Sequence, residues 1–277
     1  MHSDEALLMT ATINVGNTVF AAINSHEERL FQYLCSLISW IKLTRIDTII
    51  FCENSNTSYD FGKIIEFANN EGKTLEVLVF NGNQGAQRSG KGYGEGRIIE
   101  YALKKSNNLK DDVNFYKITG RLFVKNFEEI QQKHANTPNV FKIPAWGYEK
   151  VPNYLYIENV SSTLRPFKLT ANLFRKYLFA LKTRGLKGPH DPMNNVFTRF
   201  YKVNVKFFKE THLNSYKKVS DRWGYYLECA YYDDLIGKDF SPFLSDIHLI
   251  GMAGHDCSLL DGGDYPDDIK NLAKTFM

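Results

Sequence analysis

Apolar and polar positions alternate along the first 120 residues in blocks that predict strands separated by helices. Four short runs have the apolar, largely β-branched content of buried strands: 11–16, 47–52, 74–80 and 112–119. Two longer segments, 26–43 and 59–70, carry apolar residues every three to four positions, and Ser25 precedes the first of them as a helix cap. This alternation predicts an α/β fold, with a mainly parallel sheet and helices on both faces.

The pattern becomes less regular beyond residue 121. Helices are expected at 127–134, 168–181, 194–201 and 223–233, and strands at 139–143, 155–160, 203–208 and 247–251. Residues 256–277 are mostly polar and predict a tail with little regular structure. The whole chain of 277 residues fits one domain.

A glycine-rich basic segment, 81–96, lies between the third predicted strand and the next helix, which is expected to begin at Gly96. Glycine lets backbone N–H groups approach a phosphate closely, and a helix N-terminus adds partial positive charge. Lys91 and Arg97 supply full positive charges at this junction. The segment therefore predicts a phosphate-binding loop.

Three other interpretations of this segment can be compared with the sequence. The string GAQRSGK at 85–91 matches the first seven positions of a P-loop, but Gly92 stands where the magnesium-binding hydroxyl belongs. The glycine spacing does not fit the dinucleotide-binding fingerprint either. The remaining alternative is that these glycines only form an irregular connection.

The fourth predicted strand ends in Thr119, Gly120 and Arg121. A guanidinium group binds phosphate through two parallel hydrogen bonds, and Gly120 would give a phosphate access to the backbone. The alternative is a surface arginine in a turn. Ligands of parallel sheets bind beyond the carboxyl ends of the strands, so this turn, the glycine-rich segment, 12–16 and 53–56 are expected along one rim.

Four strings occur in an order that resembles bacterial glycosyltransferases of the GT-A type, in particular those of capsule and lipopolysaccharide biosynthesis: ATINVG, IIFCENSN, GKGYGEGRIIEYAL and YKITGRLFVKN. The resemblance covers residues 10–130. It implies a GT-A-like, Rossmann-like fold with a nucleotide-sugar-binding half at 10–130, an acceptor-binding half at 131–255 and the polar tail. The implied function is transfer of a sugar from a nucleotide-sugar donor to a glycan or a lipid-linked acceptor.

The resemblance also implies a donor site. Residues after the first two strands would contact the nucleoside: Thr12, Asn14, Glu53 and Asn54. The diphosphate would face the segment from Lys91 to Arg97, including Gly92 and Gly94, and a late histidine, His248 or His255. Thr119 to Arg121 stands where most such enzymes carry the Asp-x-Asp that binds Mn²⁺ or Mg²⁺. Because this turn has no carboxylate, the hypothesis is transfer without a metal, with Mn²⁺ or Mg²⁺ as the alternative.

An inverting transfer needs a base that deprotonates the acceptor hydroxyl. Three carboxylates are equal candidates, although each could be only a helix cap or a surface charge: Asp191, Asp221 and Glu228. His190, beside Asp191, and Trp223, a platform for stacking on a sugar, are the candidate acceptor-binding residues.

Charge and cysteine content concern location and partners. Residues 161–218 contain thirteen Lys and Arg against two acidic residues, which fits either a solvated face or a surface for anionic lipid or a phosphate-bearing acceptor. The cysteines show no metal-binding spacing and the N-terminus carries no basic leader, so a cytoplasmic protein is expected. The basic stretch predicts that this protein binds peripherally at the inner face of the membrane. No nucleic acid partner is expected. The rival functions are nucleotidyl or phosphoryl transfer, and binding of a nucleotide or glycan without catalysis.

Overall fold

The computed structural model describes residues 5–16, 25–143, 195–221, 225–252 and 258–277, together with Phe174. The strands are β1 Glu5–Ala11, β2 Thr48–Glu53, β3 Thr74–Val79, β4 Asn114–Thr119, β5 Phe123–Val124, β6 Val140–Phe141, β7 Phe200–Asn204, β8 Ser241–Pro242 and β9 Leu249–Ile250. The helices are α1 His26–Leu43, α2 Gly62–Asn70, α3 Ala86–Ser89, α4 Lys91–Lys105, α5 Phe127–Lys133, α6 Val205–Thr211, α7 Leu227–Leu235 and α8 Asp267–Lys274. Short 3₁₀ turns lie at Asn83–Gly85 and Ser215–Lys218.

Seven strands form one sheet in the order β3-β2-β1-β4-β7-β6-β8, and β5 pairs with β9 in a separate ribbon. Strands β1 to β4 are mutually parallel, and β7 is antiparallel to both β4 and β6. The predicted fold class, an α/β fold with a mainly parallel sheet, is confirmed.

Helices cover both faces of the sheet. Leu7 and Met9 of β1 face α1 and α8, whereas Ala6 and Leu8 face α4 and α7, because successive side chains of a strand point to opposite faces. Ser25 caps α1 as predicted, since its hydroxyl accepts a hydrogen bond from the Glu28 N–H at 3.3 Å. The carboxyl ends of β1 and β4, the two strands at the centre of the sheet, therefore have helices on either side.

The position of the first strand differs from the prediction. The strand is Glu5–Ala11, and residues 12–16 form the loop that follows it. Ile13 and Val15 are buried and alternate as strand residues do. However, the Ile13 N–H donates to the Glu53 carboxylate at 2.9 Å instead of to a neighbouring strand. The polar residues of this loop are nevertheless at the expected rim.

The segment from 194 to 208 was also predicted wrongly. Phe200–Asn204 is a strand that pairs with β4, and Val205–Thr211 is a helix. The Asn204 side chain accepts from the Lys206 and Phe207 N–H groups, at 3.0 and 3.2 Å, and so starts α6 where an extended run was expected.

The predicted polar tail contains a packed helix. In α8, Ile269 and Ala273 are buried in the same core as α1, and the Tyr59 hydroxyl donates to the Phe276 carbonyl at 2.7 Å. Only a narrow apolar stripe of this helix is buried, which explains why composition alone predicted a tail. Among the described helices, none combines the length and the apolarity that crossing a membrane requires.

Candidate active site

The loops after β1 and β2 bind each other at the carboxyl-terminal rim of the sheet. The Thr12 hydroxyl donates to Asn54 Oδ1 at 2.7 Å, and the Asn14 N–H donates to the Ser55 hydroxyl at 2.8 Å. Glu53 and Asn54 are fully buried, and the Glu53 carboxylate accepts several N–H groups of the two loops. All four predicted nucleoside contacts thus lie together. Thr12 and Asn14 are accessible, whereas Glu53 and Asn54 hold the loops in place.

The glycine-rich segment is largely helical, which corrects the predicted open loop. Helix α4 begins at Lys91, five residues earlier than expected, so Gly92 and Gly94 lie inside it. A Cβ on Gly92 would lie 2.8 Å from the Leu227 Cβ, and one on Gly94 would lie 3.1 Å from the Ala86 Cβ. These glycines allow α4 to pack closely against α7 and α3.

Asp221 caps the N-terminus of α4. Its Oδ2 accepts from the Lys91 N–H at 2.9 Å. Gly90 has a φ of 102°, and a Cβ there would lie 1.9 Å from the same oxygen, so only glycine fits. Burial raises the pKa of Asp221 from 3.8 to about 6, against the lowering effect of the Lys91 hydrogen bond. Asp221 is therefore a helix cap, as one interpretation of the sequence expected, but the helix that it caps is α4 and not a helix that follows it in the chain.

Asp221→Asn should stabilise the protein at pH 8. Asparagine keeps an acceptor for the Lys91 N–H but removes a charge whose burial is unfavourable. Because the folded-state pKa is raised, the wild-type carboxyl stabilises the fold below about pH 4 and loses that contribution as the pH rises through about 6. The full difference amounts to at most about 3 kcal/mol. Urea unfolding at several pH values measures it.

The matched control for this prediction is Asp60→Asn. Asp60 is an exposed carboxylate that accepts from the Gly62 N–H at 2.9 Å near the start of α2. A gain in stability for Asp221→Asn that is the same at pH 4 and pH 8 would contradict the assignment of a buried, titrating carboxyl to Asp221.

Arg121 is a buried cation at the rim. Its side chain donates from Nη1 to Gln32 Oε1 at 2.9 Å, its Nε has no hydrogen-bond partner, and within the described residues no carboxylate pairs with it. Its backbone carbonyl accepts from the Tyr265 hydroxyl at 2.7 Å, which fixes the turn. Burial lowers the pKa of Arg121.

Two further cations approach Arg121. Arg29, on the first turn of α1, donates to the Thr12 carbonyl at 2.8 Å and to the Tyr33 hydroxyl at 3.2 Å. Lys91, at the start of α4, has its pKa lowered first by burial and then by the charges of Arg121 and Arg29, and the nearby Asp221 carboxylate opposes this shift. These three residues, which we call the rim cations, gather positive charge in a place where burial makes charge costly. Such an arrangement favours binding of an anion.

Gly120 has a different role from the predicted one. A Cβ at this position would lie 2.7 Å from the Thr10 carbonyl oxygen and 3.1 Å from the Tyr33 ring. The glycine therefore lets the end of β4 pack against β1 and α1, and leaves no space for a phosphate at its own Cα.

A second polar cluster lies beneath the rim, between β4, α4 and α7. Lys117 is fully buried, forms an ion pair with Glu95, and donates to the Thr198 carbonyl at 2.7 Å. The Thr198 hydroxyl in turn donates to Glu228 Oε1 at 2.9 Å. Burial lowers the pKa of Lys117, and the nearby Glu228 carboxylate opposes that shift. Glu228, a predicted base, is thus close to this cluster.

Sequence analysis missed Arg29, Glu95 and Lys117. One signal was available, because Lys117 interrupts the apolar run of a strand that should be buried on both faces. Arg29 occupies an ordinary polar position of a helix and Glu95 lies in the glycine-rich segment, and only the fold brings them to this end of the sheet.

Two predicted donor contacts have partners of their own. Arg97 pairs with Glu100 at 3.4 Å, and a hydrogen bond with Tyr216 raises its pKa. His248 is exposed, and its Nδ1 lies 3.5 Å from an Asp261 oxygen.

Four predicted site residues lie outside the described residues: His190, Asp191, Trp223 and His255. The same is true of most of the basic stretch 161–218, so membrane contact remains a prediction. In the described ranges no group of three His, Cys, Asp or Glu side chains could hold a metal ion, and the turn 119–121 offers no carboxylate. The metal dependence of the activity therefore stays a prediction.

No family model and no curated protein matches the sequence. Solved structures with a similar chain path include core-mannan synthase A from Aspergillus fumigatus in its Mn/GDP form, with 12% identity, a TM-score of 0.44, and coverage of 92% of this chain and 76% of that one. The galactosyltransferase LgtC, with donor and acceptor sugar analogs, has 10% identity, a TM-score of 0.39 and coverage of 86% and 72%. The 4-diphosphocytidyl-2C-methyl-D-erythritol synthase from Anaerococcus prevotii has 10% identity, a TM-score of 0.42 and coverage of 99% and 96%. At these values the similarities carry no conclusion about chemistry.

Proposed function

We propose that this protein is a glycosyltransferase that moves a sugar from a nucleotide-sugar donor to a glycan or a lipid-linked acceptor in bacterial surface polysaccharide synthesis. The observation that carries the proposal is the convergence of Arg29, Lys91 and Arg121 at the carboxyl ends of the central parallel strands. The strings that resemble GT-A glycosyltransferases contain Lys91 and Arg121, which supports the same conclusion.

The rim cations fit the donor diphosphate. A diphosphate brings two negative charges to a place where three positive side chains lie near one another, so the charges of ligand and site are complementary. Arg121 offers Nε, which has no partner in the described structure, and the charge of a rigid guanidinium fork. When the sugar leaves, negative charge grows on the diphosphate, and these cations stabilise it at that moment.

The acceptor side needs a carboxylate. In an inverting transfer, the proton of the acceptor hydroxyl passes to the carboxylate while the acceptor oxygen bonds to the anomeric carbon. The bond from that carbon to the phosphate oxygen breaks, and its electron pair stays on the nucleoside diphosphate. Asp221 and Glu228 both lie near α4, and the negative charge of Glu228 contributes to the raised pKa of Asp221. Both carboxylates already have partners, however, because Asp221 caps α4 and Glu228 accepts from the Thr198 hydroxyl, so neither is the first choice for the base.

The proposal is tested by a donor screen. UDP-, GDP- and CMP-sugars are compared for thermal stabilisation of the purified protein, and the stabilising donors are then incubated with glycan and lipid-linked acceptors. The expected products are a lengthened acceptor and the free leaving nucleotide, which is the nucleoside diphosphate for UDP- and GDP-sugars and CMP for CMP-sugars. Transfer of a nucleotidyl group, or stabilisation without turnover on any acceptor, would contradict glycosyl transfer.

Activity should persist when divalent cations are removed. We propose that the rim cations, and not Mn²⁺ or Mg²⁺, neutralise the leaving diphosphate. Turnover in EDTA is therefore expected to stay within about threefold of the untreated rate, a change of less than about 0.7 kcal/mol in the barrier. A rate that collapses in EDTA and recovers with Mn²⁺ would refute the metal-free hypothesis and leave glycosyl transfer itself untouched.

A further inference from the structure

Glu95 and Lys117 connect two separate parts of the sequence. Glu95 lies in the string GKGYGEG and Lys117 in the string KITGR, and their side chains form an ion pair on one face of the sheet. Both strings carry the resemblance to glycosyltransferases, yet neither residue was assigned a role by it.

Lys117 is held in one position. It is fully buried, and besides Glu95 its Nζ donates to the Thr198 carbonyl at 2.7 Å and to the Thr119 hydroxyl at 3.3 Å. An ammonium group has three hydrogens, and each has a fixed acceptor here. The lysine is therefore a rigid anchor for the Glu95 carboxylate.

Glu95 keeps one carboxylate oxygen available. Its Oε1 takes both the Lys117 ammonium and the Thr10 hydroxyl, the latter at 3.5 Å, whereas its Oε2 has no hydrogen-bond partner among the described residues. The side chain retains 22% of its exposure. Glu95 also follows Lys91 by four positions, so the two lie on the same side of α4. The carboxylate thus lies on the side of α4 that also carries one of the rim cations.

The chain contains a second buried lysine–glutamate pair, which behaves differently. Lys202 is also fully buried, lies 2.5 Å from Glu5 Oε1, and donates to the His134 carbonyl at 2.7 Å. There, however, the second carboxylate oxygen accepts from Gln131 Nε2 at 2.9 Å, and Glu5 begins β1 at the opposite end of the sheet. That pair is saturated and structural. In the pair of Glu95 and Lys117, by contrast, Glu95 Oε2 has no hydrogen-bond partner among the described residues.

We propose that Glu95 is a catalytic residue that receives the proton of the acceptor hydroxyl, and that Lys117 is a positioning residue that holds the Glu95 carboxylate in place and directs it at the acceptor. This inference rests on the proposed function. The acceptor O–H bond breaks toward Glu95 Oε2, the oxygen attacks the anomeric carbon, and the nucleoside diphosphate leaves with the electron pair of the broken bond. Glu95 is then neutral until it returns the proton to water.

The decisive variant is Glu95→Gln, which keeps the shape of the side chain but cannot accept the proton. Its kcat should fall by about 100-fold or more, while donor binding stays within about threefold of wild type. A kcat within threefold of wild type would overturn the inference.

Lys117→Met tests the positioning role, with Lys202→Met as the matched control. Without its cation the Glu95 carboxylate should hold its proton more tightly, so the acidic limb of the kcat profile moves to higher pH. Lys202→Met removes an equally buried lysine and should leave the pH profile unchanged. Equal shifts in both variants, or none in Lys117→Met, would refute a positioning role.

Stability does not decide the outcome. If Lys117→Met does not fold, the double variant Glu95→Gln/Lys117→Met removes both charges of the pair and should be as inactive as Glu95→Gln alone. An active double variant would overturn the inference. If the wild-type protein transfers no sugar from any donor, the proposed function fails and this inference fails with it, whereas an active wild type with an active Glu95→Gln refutes only the inference.

Discussion

Arg121→Gln should weaken binding of the nucleotide-sugar donor by about 10- to 100-fold. A charged hydrogen bond to phosphate contributes about 1.5–3 kcal/mol, and glutamine retains neither the charge nor the fork. The loss should not come from unfolding. Arg121 is buried without a carboxylate partner in the described structure, so removing its charge relieves repulsion with Lys91 and Arg29. Calorimetric titration with the donor measures the affinity, and thermal unfolding without donor measures the stability.

Arg97→Gln is the comparison that makes this prediction specific. The sequence placed Arg97 at the donor diphosphate, but the structure pairs it with Glu100 and Tyr216, with 40% of its side chain exposed. Donor affinity should therefore remain within about twofold of wild type, as for other exposed charges. Equal losses at Arg97 and Arg121 would mean that the diphosphate lies along α4, and would contradict its assignment to the rim cations.

The parts of the fold that depend on local periodicity were predictable. The boundaries of α1 match the expected 26–43, and those of β2, β3 and β4 agree to within two residues. Apolar residues at a regular spacing define these elements whatever their neighbours are. The loops after the first two strands were predicted to lie together even though β1 was placed too late in the chain, because both loops follow neighbouring parallel strands of one sheet.

Features that depend on distant partners were not predictable. Glycine in a sequence indicates either a flexible backbone or a close contact, and the choice depends on residues such as Leu227, which lies 135 positions after Gly92. The same limit applies to charge. Asp221 carries the chemistry of a helix cap, but the helix that it caps begins 130 residues earlier in the chain.

Gly96→Ala should destabilise the protein by about 2 kcal/mol or more. Alanine is favoured over glycine inside a helix by about 1 kcal/mol, so the substitution would stabilise an exposed helix face. In an open loop it would have little effect. In this structure, however, a Cβ on Gly96 would lie 2.1 Å from the Tyr216 Cβ and 2.5 Å from its Cγ. A Cβ cannot rotate away as the tip of a long side chain can, so α4 or the 215–218 turn has to shift. Overpacking of this kind costs about 1–3 kcal/mol or more.

Urea unfolding of Gly96→Ala, with Gly62→Ala as the control, distinguishes a role of Gly96 in the close packing of α4 from a role in a phosphate-binding loop. A Cβ on Gly62 meets only the movable Asp60 side chain, at 3.1 Å, and its effect should stay within about 0.5 kcal/mol. A shift of α4 would also displace Lys91 and Glu95, so Gly96→Ala should lose donor affinity and turnover together, although it touches no ligand. If the alanine variant is instead as stable as wild type and impaired only in donor binding, Gly96 belongs to a phosphate-binding loop, and the close packing of α4 is not what this glycine provides.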